Sequence, residues 1–388
     1  MDLFGEPDPP ETETNDIAEQ EAEDAATPEG LTHPREMSLC LNHKSIETRL
    51  LEQINAGRMP HGLIFSGPKG IGKATFAYRL ARTLLKHEAS DPNQNSMFAD
   101  EPAGILETMD INPADPVFRQ VASGGHADLL TIEREYDAAK NTYKGSIAVD
   151  SIRKVNPFLR LTASKDGGWR VVIIDDADTM NRSAQNALLK ILEEPPPRAV
   201  LILICHRLGA MIPTIRSRTR TLSFSPPSKE SFEYLLQMQG HTLEPTQLDT
   251  LYHLSEGSAG AGIHYLEQGG LDTLSEILTL FDYAPEWSWP DVHKLADGLA
   301  RGGHDQSYQS FALLLPWIFS QMITAKARGH AIDSTALHIE AIERLHRQSS
   351  LETLLKICEN LKHHFDRVER SNLDKRQAVL GAFSIIAA

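Results

Sequence analysis

A glycine-rich segment with one lysine gives the chain its clearest candidate for chemistry. Gly67, Gly72 and Lys73 follow the pattern G-x-x-x-x-G-K, between an apolar run and a helix-like run. Glycines let backbone N–H groups converge on an anion, a helix N-terminus favours negative charge, and the lysine supplies a point charge. The pattern therefore predicts a phosphate-binding loop. Its candidate residues are Gly67, Pro68, Lys69, Gly70, Ile71, Gly72, Lys73, Ala74 and Thr75.

The last position of this loop departs from the full pattern G-x-x-x-x-G-K-[ST]. Ala74 stands where a hydroxyl group would bind Mg²⁺. Thr75 follows directly but points about 100° further round the helix, so it is an uncertain substitute. The sequence leaves open whether the chain uses a nucleotide or only keeps the fold of proteins that do.

Two adjacent carboxylates supply the second half of a nucleotide site. Asp175 and Asp176 follow a run of four β-branched residues, 171–174, which predicts a strand buried on both faces. An aspartate at the carboxyl end of such a strand can hold Mg²⁺, often through water, and the next carboxylate can polarise an attacking water. Asp176 is one methylene shorter than a glutamate. The alternative is a pair of solvated carboxylates at a strand end.

The elements that must position these residues alternate along the chain between strand-like and helix-like patterns. This alternation over residues 60–225 predicts a parallel α/β sheet with helices on both faces, followed from residue 228 by helices. Residues 88–127 and 137–146 are predicted loops, and Pro157 predicts a kink or an early break in the helix that contains it. The expected strands are 62–66, 128–132, 171–174 and 199–205, and the expected helices are 38–59, 75–85, 150–161 and 183–194.

Composition indicates a cytoplasmic protein without a membrane span. The chain has 388 residues and a net charge of −15, and residues 1–30 hold eleven acidic residues with no lysine or arginine. Low hydrophobicity and charge of one sign predict a disordered acidic tail, which lacks the features of a targeting signal. Three distant cysteines suit a reducing compartment and exclude a cysteine zinc site. No basic stripe marks a DNA-binding surface.

Three segments resemble bacterial clamp-loader subunits of the AAA+ family, with the delta-prime subunits of DNA polymerase III as the best match. These segments are 71–75 (IGKAT), 186–196 (NALLKILEEPP) and 214–218 (TIRSR). The likeness covers roughly residues 35–270, and the helical remainder is compatible with it. Many such relatives carry a four-cysteine zinc module in the region matching 88–127. This chain has no cysteine there, so neither zinc nor another structural metal is expected.

The resemblance implies four parts. They are an acidic tail over 1–34, an AAA+ α/β domain with the phosphate loop over 35–226, a small helical lid domain over 227–270, and a helical oligomerisation (collar) domain over 271–388.

The resemblance also assigns a role to Arg218. By position it is an arginine finger, a fixed positive fork that neutralises charge on the γ-phosphate in the ATP site of a neighbouring subunit. The usual cysteine after this arginine is replaced by Thr219. The alternative is a surface arginine in a basic cluster with Arg216 and Arg220. The implied partners are the gamma/tau and delta subunits, the sliding clamp, and primed DNA through the assembled complex.

Four departures from the family pattern weaken the chain's own site. Ala74 lacks the Mg²⁺-binding hydroxyl, Asp176 replaces a glutamate, Cys205 stands about where motor subunits carry a polar sensor, and Gly260 stands where a second sensor arginine belongs. Missing charge and hydrogen bonding remove stabilisation where the transition state needs it. The departures predict a site that can hold Mg²⁺-ATP but hydrolyses it weakly or not at all.

The leading hypothesis is thus a delta-prime-like subunit that helps load the sliding clamp, as a component of the DNA-directed DNA polymerase holoenzyme. One alternative is an active gamma/tau-like ATPase motor that uses Lys73, Thr75 and Asp175. The other is an unrelated P-loop regulator that switches on nucleotide binding.

Overall fold

A computed structural model describes residues 32–87, 105–137, 142–164, 168–301, 305–332, 335–371 and 373–387. Residues 1–31 of the expected acidic tail and 88–104 of the expected loop lie outside the described residues. The chain forms two compact units, of which the first ends at Ser225 and the second begins at Pro226. The finer division into lid and collar stays a prediction.

A five-stranded parallel sheet forms the centre of the first unit, with the order β2-β5-β6-β1-β7. Every residue of β5 and β6 is buried, because helices cover both faces of a parallel sheet. Strands β3 and β4 form a separate antiparallel pair within the region expected to be a loop. The strands are β1 (Gly62–Ser66), β2 (Leu129–Ile132), β3 (Tyr136–Asp137), β4 (Thr142–Tyr143), β5 (Arg170–Ile174), β6 (Ala199–Cys205) and β7 (Arg220–Ser223).

Helices pack on the two faces of this sheet and bury alternate strand residues. Ile173 joins a core with α1 and α2, whereas its neighbour Val172 joins a second core with α4, α5 and α6. Successive strand side chains point to opposite faces, so both cores draw on the same strands. The helices are α1 (Lys44–Asn55), α2 (Lys73–Lys86), α3 (Pro116–Ala122), α4 (Val149–Arg153), α5 (Val155–Arg160), α6 (Arg182–Glu193) and α7 (Pro213–Arg216).

Three local predictions were wrong in detail. The first helix begins at Lys44 rather than at residue 38, because His43 adopts a left-handed backbone (φ 74°) that cannot continue a helix. The helix expected over 150–161 is broken at Lys154, so Pro157 falls in the first turn of α5, where proline is tolerated. The loop expected over 88–127 contains α3, whose N-cap is the Asp115 side chain.

The described part of the second unit is helical and has its own apolar core. Leu274, Phe311, Leu354 and Phe383 are among its buried residues, and the apolar positions of its helices recur at helical spacing. No helix among the described residues is long and apolar enough to span a membrane. The helices are α8 (Lys229–Met238), α9 (Pro245–Leu254), α10 (Ala259–Glu267), α11 (Gly270–Phe281), α12 (Trp289–Leu299), α13 (Asp305–Arg328), α14 (Glu340–Gln348), α15 (Leu351–Ser371) and α16 (Lys375–Ala387). The expected α/β fold class, a parallel sheet domain followed by helical parts, is confirmed.

Candidate phosphate-binding site

The predicted phosphate loop connects β1 to the N-terminus of α2. A Cβ atom at Gly67 would lie 2.5 Å from the carbonyl oxygen of Phe224, so only glycine fits between β1 and the chain beyond β7. Gly72 precedes α2 in a left-handed conformation (φ 93°), which glycine adopts without strain. Lys73 is the first residue of α2. The predicted loop therefore has the strand–turn–helix context that a phosphate cradle requires.

The Lys73 ammonium group is held by its own loop and by one side chain. Its Nζ atom donates to the carbonyl oxygen of Gly67 at 2.8 Å, to that of Pro68, and to Nδ1 of His206 at 2.8 Å. An ammonium group has three N–H donors, so these three acceptors use all of them. Lys73 is 3% exposed, and this burial lowers its pKa to about 8.

His206 links Lys73 to the predicted carboxylate pair. Because Nδ1 accepts from the ammonium group, the ring proton lies on Nε2, which donates to Oδ1 of Asp176 at 2.6 Å. The backbone N–H of His206 donates to Oδ1 of the buried Asp178 at 2.9 Å. Hydrogen bonds therefore hold His206 both at its backbone N–H and at Nε2 of its ring.

The two aspartates differ in environment. Burial acts to raise the pKa of Asp176, but the hydrogen bond and electrostatic interaction with His206, followed by the charges of Lys69 and Arg134, outweigh it and hold the pKa at about 2. Arg134 donates from Nε to Oδ2 of Asp176 at 2.9 Å, so both carboxylate oxygens are engaged. At Asp175, by contrast, burial and the neighbouring charge of Asp176 raise the pKa of the carboxyl group.

The donor set fits a magnesium-bound phosphate only in part. Oxygen ligands suit Mg²⁺, and Asp175 offers a carboxylate at the carboxyl end of β5. Ligand atoms of Asp175, Asp176 and His206 lie within 4.8 Å of one another. Ala74 offers no oxygen, so a bound Mg²⁺ would keep more of its water shell, and Asp176 is already hydrogen-bonded on both oxygens.

Arg218 lies at the other end of the sheet. Its carbonyl oxygen would be 3.6 Å from a Cβ atom at Gly62, the first residue of β1, whereas the phosphate loop follows the last residue of β1. The guanidinium group is 36% exposed and donates from Nη2 to Oε1 of Glu193 at 2.9 Å and from Nη1 to the Thr214 carbonyl oxygen at 3.1 Å.

The structure thus brings the loop residues 67–75 together with Asp175 and Asp176, and it leaves Arg218 apart from them. The Cys205 side chain, proposed at the sensor position, is fully buried, and the next residue, His206, reaches the site instead. Gly260 lies in α10 of the second unit.

Sequence reasoning missed His206 and Arg134. Each follows a strand of the sheet, β6 and β2 respectively, and the carboxyl ends of parallel strands meet at one edge. A search for polar residues within two positions after each predicted strand would have found both.

Comparison with known proteins gives one family model and many relatives. Residues 106–228 match the model described as "DNA polymerase III, delta subunit". A replication factor C small subunit of Sulfurisphaera tokodaii is 28% identical over 238 residues, which are 60% of this chain and 59% of that protein. A DNA polymerase III gamma/tau subunit of Mycobacterium bovis is 25% identical over 342 residues, 82% of this chain and 54% of that protein.

The chain spans about three fifths of the length of the replication factor C relatives. A solved gamma-subunit-related protein from Thermotoga maritima aligns with 87% of this chain and 98% of its own, at 15% identity and a TM-score of 0.39.

Proposed function

We propose that this chain, which is related to the clamp-loader proteins of the AAA+ family, is a delta-prime-like subunit of a bacterial clamp loader. In this role it braces the assembly and supplies Arg218 to the ATP site of a neighbouring subunit. Its partners are the gamma/tau and delta subunits, the sliding clamp, and primed DNA through the assembled complex. It acts in the cytoplasm as a component of the polymerase holoenzyme and transfers no nucleotides itself.

The position of Arg218 carries this proposal. Arg218 lies beside Gly62, and Gly67 lies five positions further along the extended strand, a span of roughly 16 Å at the usual rise of β-strands. A guanidinium group at that end of the sheet cannot contact a phosphate group held by its own loop. Since it is also partly exposed, its use as a finger requires a phosphate group on another subunit.

The chain's own site supports a minor role in hydrolysis. Ala74 gives Mg²⁺ no ligand, and Lys73 is engaged by three acceptors. Asp176, which would have to polarise water, is hydrogen-bonded to Arg134 and His206. A carboxylate with a pKa near 2 is a weak base at neutral pH, so we expect slow hydrolysis or none.

The rival function is an active gamma/tau-like motor. The likeness to the Mycobacterium bovis gamma/tau subunit over 82% of this chain favours it, as does the retention of Lys73 and Asp175. ATP turnover by the isolated full-length chain separates the two functions. Turnover comparable to that of a motor subunit, and lost in Lys73→Ala, would establish the motor function and refute ours.

The finger assignment is tested in the reconstituted clamp loader with Arg218→Ala. In this complex, every gamma/tau subunit except the one next to Arg218 carries a substitution of its phosphate-loop lysine. Only the ATP site that receives Arg218 then hydrolyses ATP. We expect turnover to fall at least about tenfold, because an arginine finger contributes on the order of 10³ or more to kcat.

Arg216→Ala is the matched control, since it removes the same charge two residues earlier from an exposed position. Complex assembly is checked by size-exclusion chromatography. Equal turnover of the two variants, with assembly intact, would show that Arg218 belongs to a surface cluster.

A further inference from the structure

We propose that His206 is a positioning residue that holds Lys73 on its own loop, so that a nucleoside triphosphate binds only when Lys73 leaves His206. This inference rests on the phosphate-loop part of the proposed function, and it adds the residue that sets nucleotide affinity at that site.

The hydrogen bonds of Lys73 are the first observation. Two of its three acceptors, the carbonyl oxygens of Gly67 and Pro68, belong to the loop itself and move with it. The third, Nδ1 of His206, comes from the end of β6 and is fixed independently of the loop. An incoming phosphate oxygen must replace at least one acceptor, because the ammonium group has no fourth N–H donor.

The attachment of His206 is the second observation. Its backbone N–H is bonded to Asp178, whose side chain is 2% exposed, and its ring Nε2 is bonded to Asp176. Asp176 is bonded in turn to Arg134. These contacts arise from the ends of β2, β5 and β6, so the imidazole ring cannot follow Lys73 toward a ligand.

The groups that face its two ring nitrogens favour a single tautomer of His206. An ammonium group faces Nδ1 and a carboxylate faces Nε2, and a neutral imidazole satisfies both only with its proton on Nε2. The other tautomer, with the proton on Nδ1, would point an N–H at Lys73 and a lone pair at Asp176. The contacts at both ring nitrogens therefore present Nδ1 to Lys73 as an acceptor.

The test compares two variants of the full-length chain, His206→Ala and His206→Asn. Both lose the contact with Asp176, but the asparagine side-chain oxygen can replace Nδ1 as an acceptor for Lys73, whereas alanine offers none. We expect His206→Ala to bind a fluorescent ATP analogue, in the presence of Mg²⁺, about 2- to 12-fold more tightly than His206→Asn. This range corresponds to the net value of one hydrogen bond, about 0.5–1.5 kcal/mol.

The variant Lys73→Ala measures the background binding of the ATP analogue that does not depend on the loop lysine. His206→Ala that binds no more tightly than His206→Asn would overturn the proposal, as would the absence of Lys73-dependent binding in every variant. The proposed role of Arg218 is measured in the reconstituted complex and is unaffected by either result, so the two failures can be distinguished.

A second measurement needs no stable variant. In ¹⁵N-histidine-labelled wild-type protein, the Nδ1 resonance of His206 should shift on addition of Mg²⁺-ATP, because the ammonium donor leaves. An unchanged His206 resonance under saturating nucleotide would show that Lys73 stays where it is, and it would refute the proposal.

Discussion

Replacing Asp178 tests how the position of His206 is fixed. The carboxylate accepts the His206 backbone N–H at 2.9 Å, and it is 2% exposed. Its other oxygen accepts from Nε of Arg207 at 3.2 Å, but that side chain is 75% exposed, so the ion pair contributes little. The main loss in Asp178→Ala is thus one hydrogen bond to a buried charged group.

A hydrogen bond to a charged group stabilises by roughly 1.5–3 kcal/mol, so we expect Asp178→Ala to reduce local stability by about 2–3 kcal/mol. Asp178→Asn keeps an oxygen for the His206 N–H but loses the charge, and it should lose only about 1 kcal/mol. The comparison therefore isolates the hydrogen bond from the general effect of altering a buried side chain.

Hydrogen exchange of the full-length chain, followed by mass spectrometry, measures this effect locally. A loss of about 2 kcal/mol corresponds to exchange roughly 30-fold faster in the peptide that contains β6 and His206, when opening is at equilibrium. If Asp178→Ala and Asp178→Asn accelerate exchange equally, or if neither does, the backbone hydrogen bond does not fix His206.

Two further predictions concern stability. Gly67→Ala should destabilise the chain by about 1–3 kcal/mol in thermal unfolding, because the added Cβ atom would lie 2.5 Å from the Phe224 carbonyl oxygen. Gly145→Ala is the control, since a Cβ atom at Gly145 would have no neighbouring atom within 4 Å. Asp128→Ala should cost about 3–5 kcal/mol, since it leaves Arg170, 8% exposed, without its carboxylate partner at 3.1 Å. In thermal unfolding, the double variant Asp128→Ala/Arg170→Met should recover part of the stability that Asp128→Ala loses. A loss of stability equal to the sum of the losses in the two single variants would contradict the buried-charge explanation.

Much of the fold could be predicted because its central strands carry unambiguous patterns. The predicted bounds of β1 and β6 agree with the structure, and those of β5 differ by one residue. Helix boundaries were harder. The left-handed backbone of His43 is not visible in the periodicity of the apolar residues, and neither is the division of one expected helix into two at Lys154.

The candidate site was predictable to the extent that it is local in sequence. The loop from Gly67 to Lys73 contains its own glycines, lysine and helix start, and Asp175 and Asp176 adjoin a strand. By contrast, the prediction took Cys205 as the position at which a polar sensor is lost. Cys205 is wholly buried, and its neighbour His206, which reaches the site, was not identified. Successive side chains of a strand point to opposite sides, so the residue that reaches the site is one position further along the chain than the residue that was considered.

The sequence was sufficient to predict that a glycine-rich loop joins a buried strand to a helix, because apolar strand runs and the G-x-x-x-x-G-K spacing are local constraints. The contacts of Lys73 depend instead on the tertiary structure. Lys73 and His206 are 133 positions apart, and they meet because β1 and β6 pair in parallel with Ser66 aligned to Cys205. The same parallel pairing puts Arg218 at the opposite end of the sheet, since a residue that precedes β7 and a loop that follows β1 cannot share an edge.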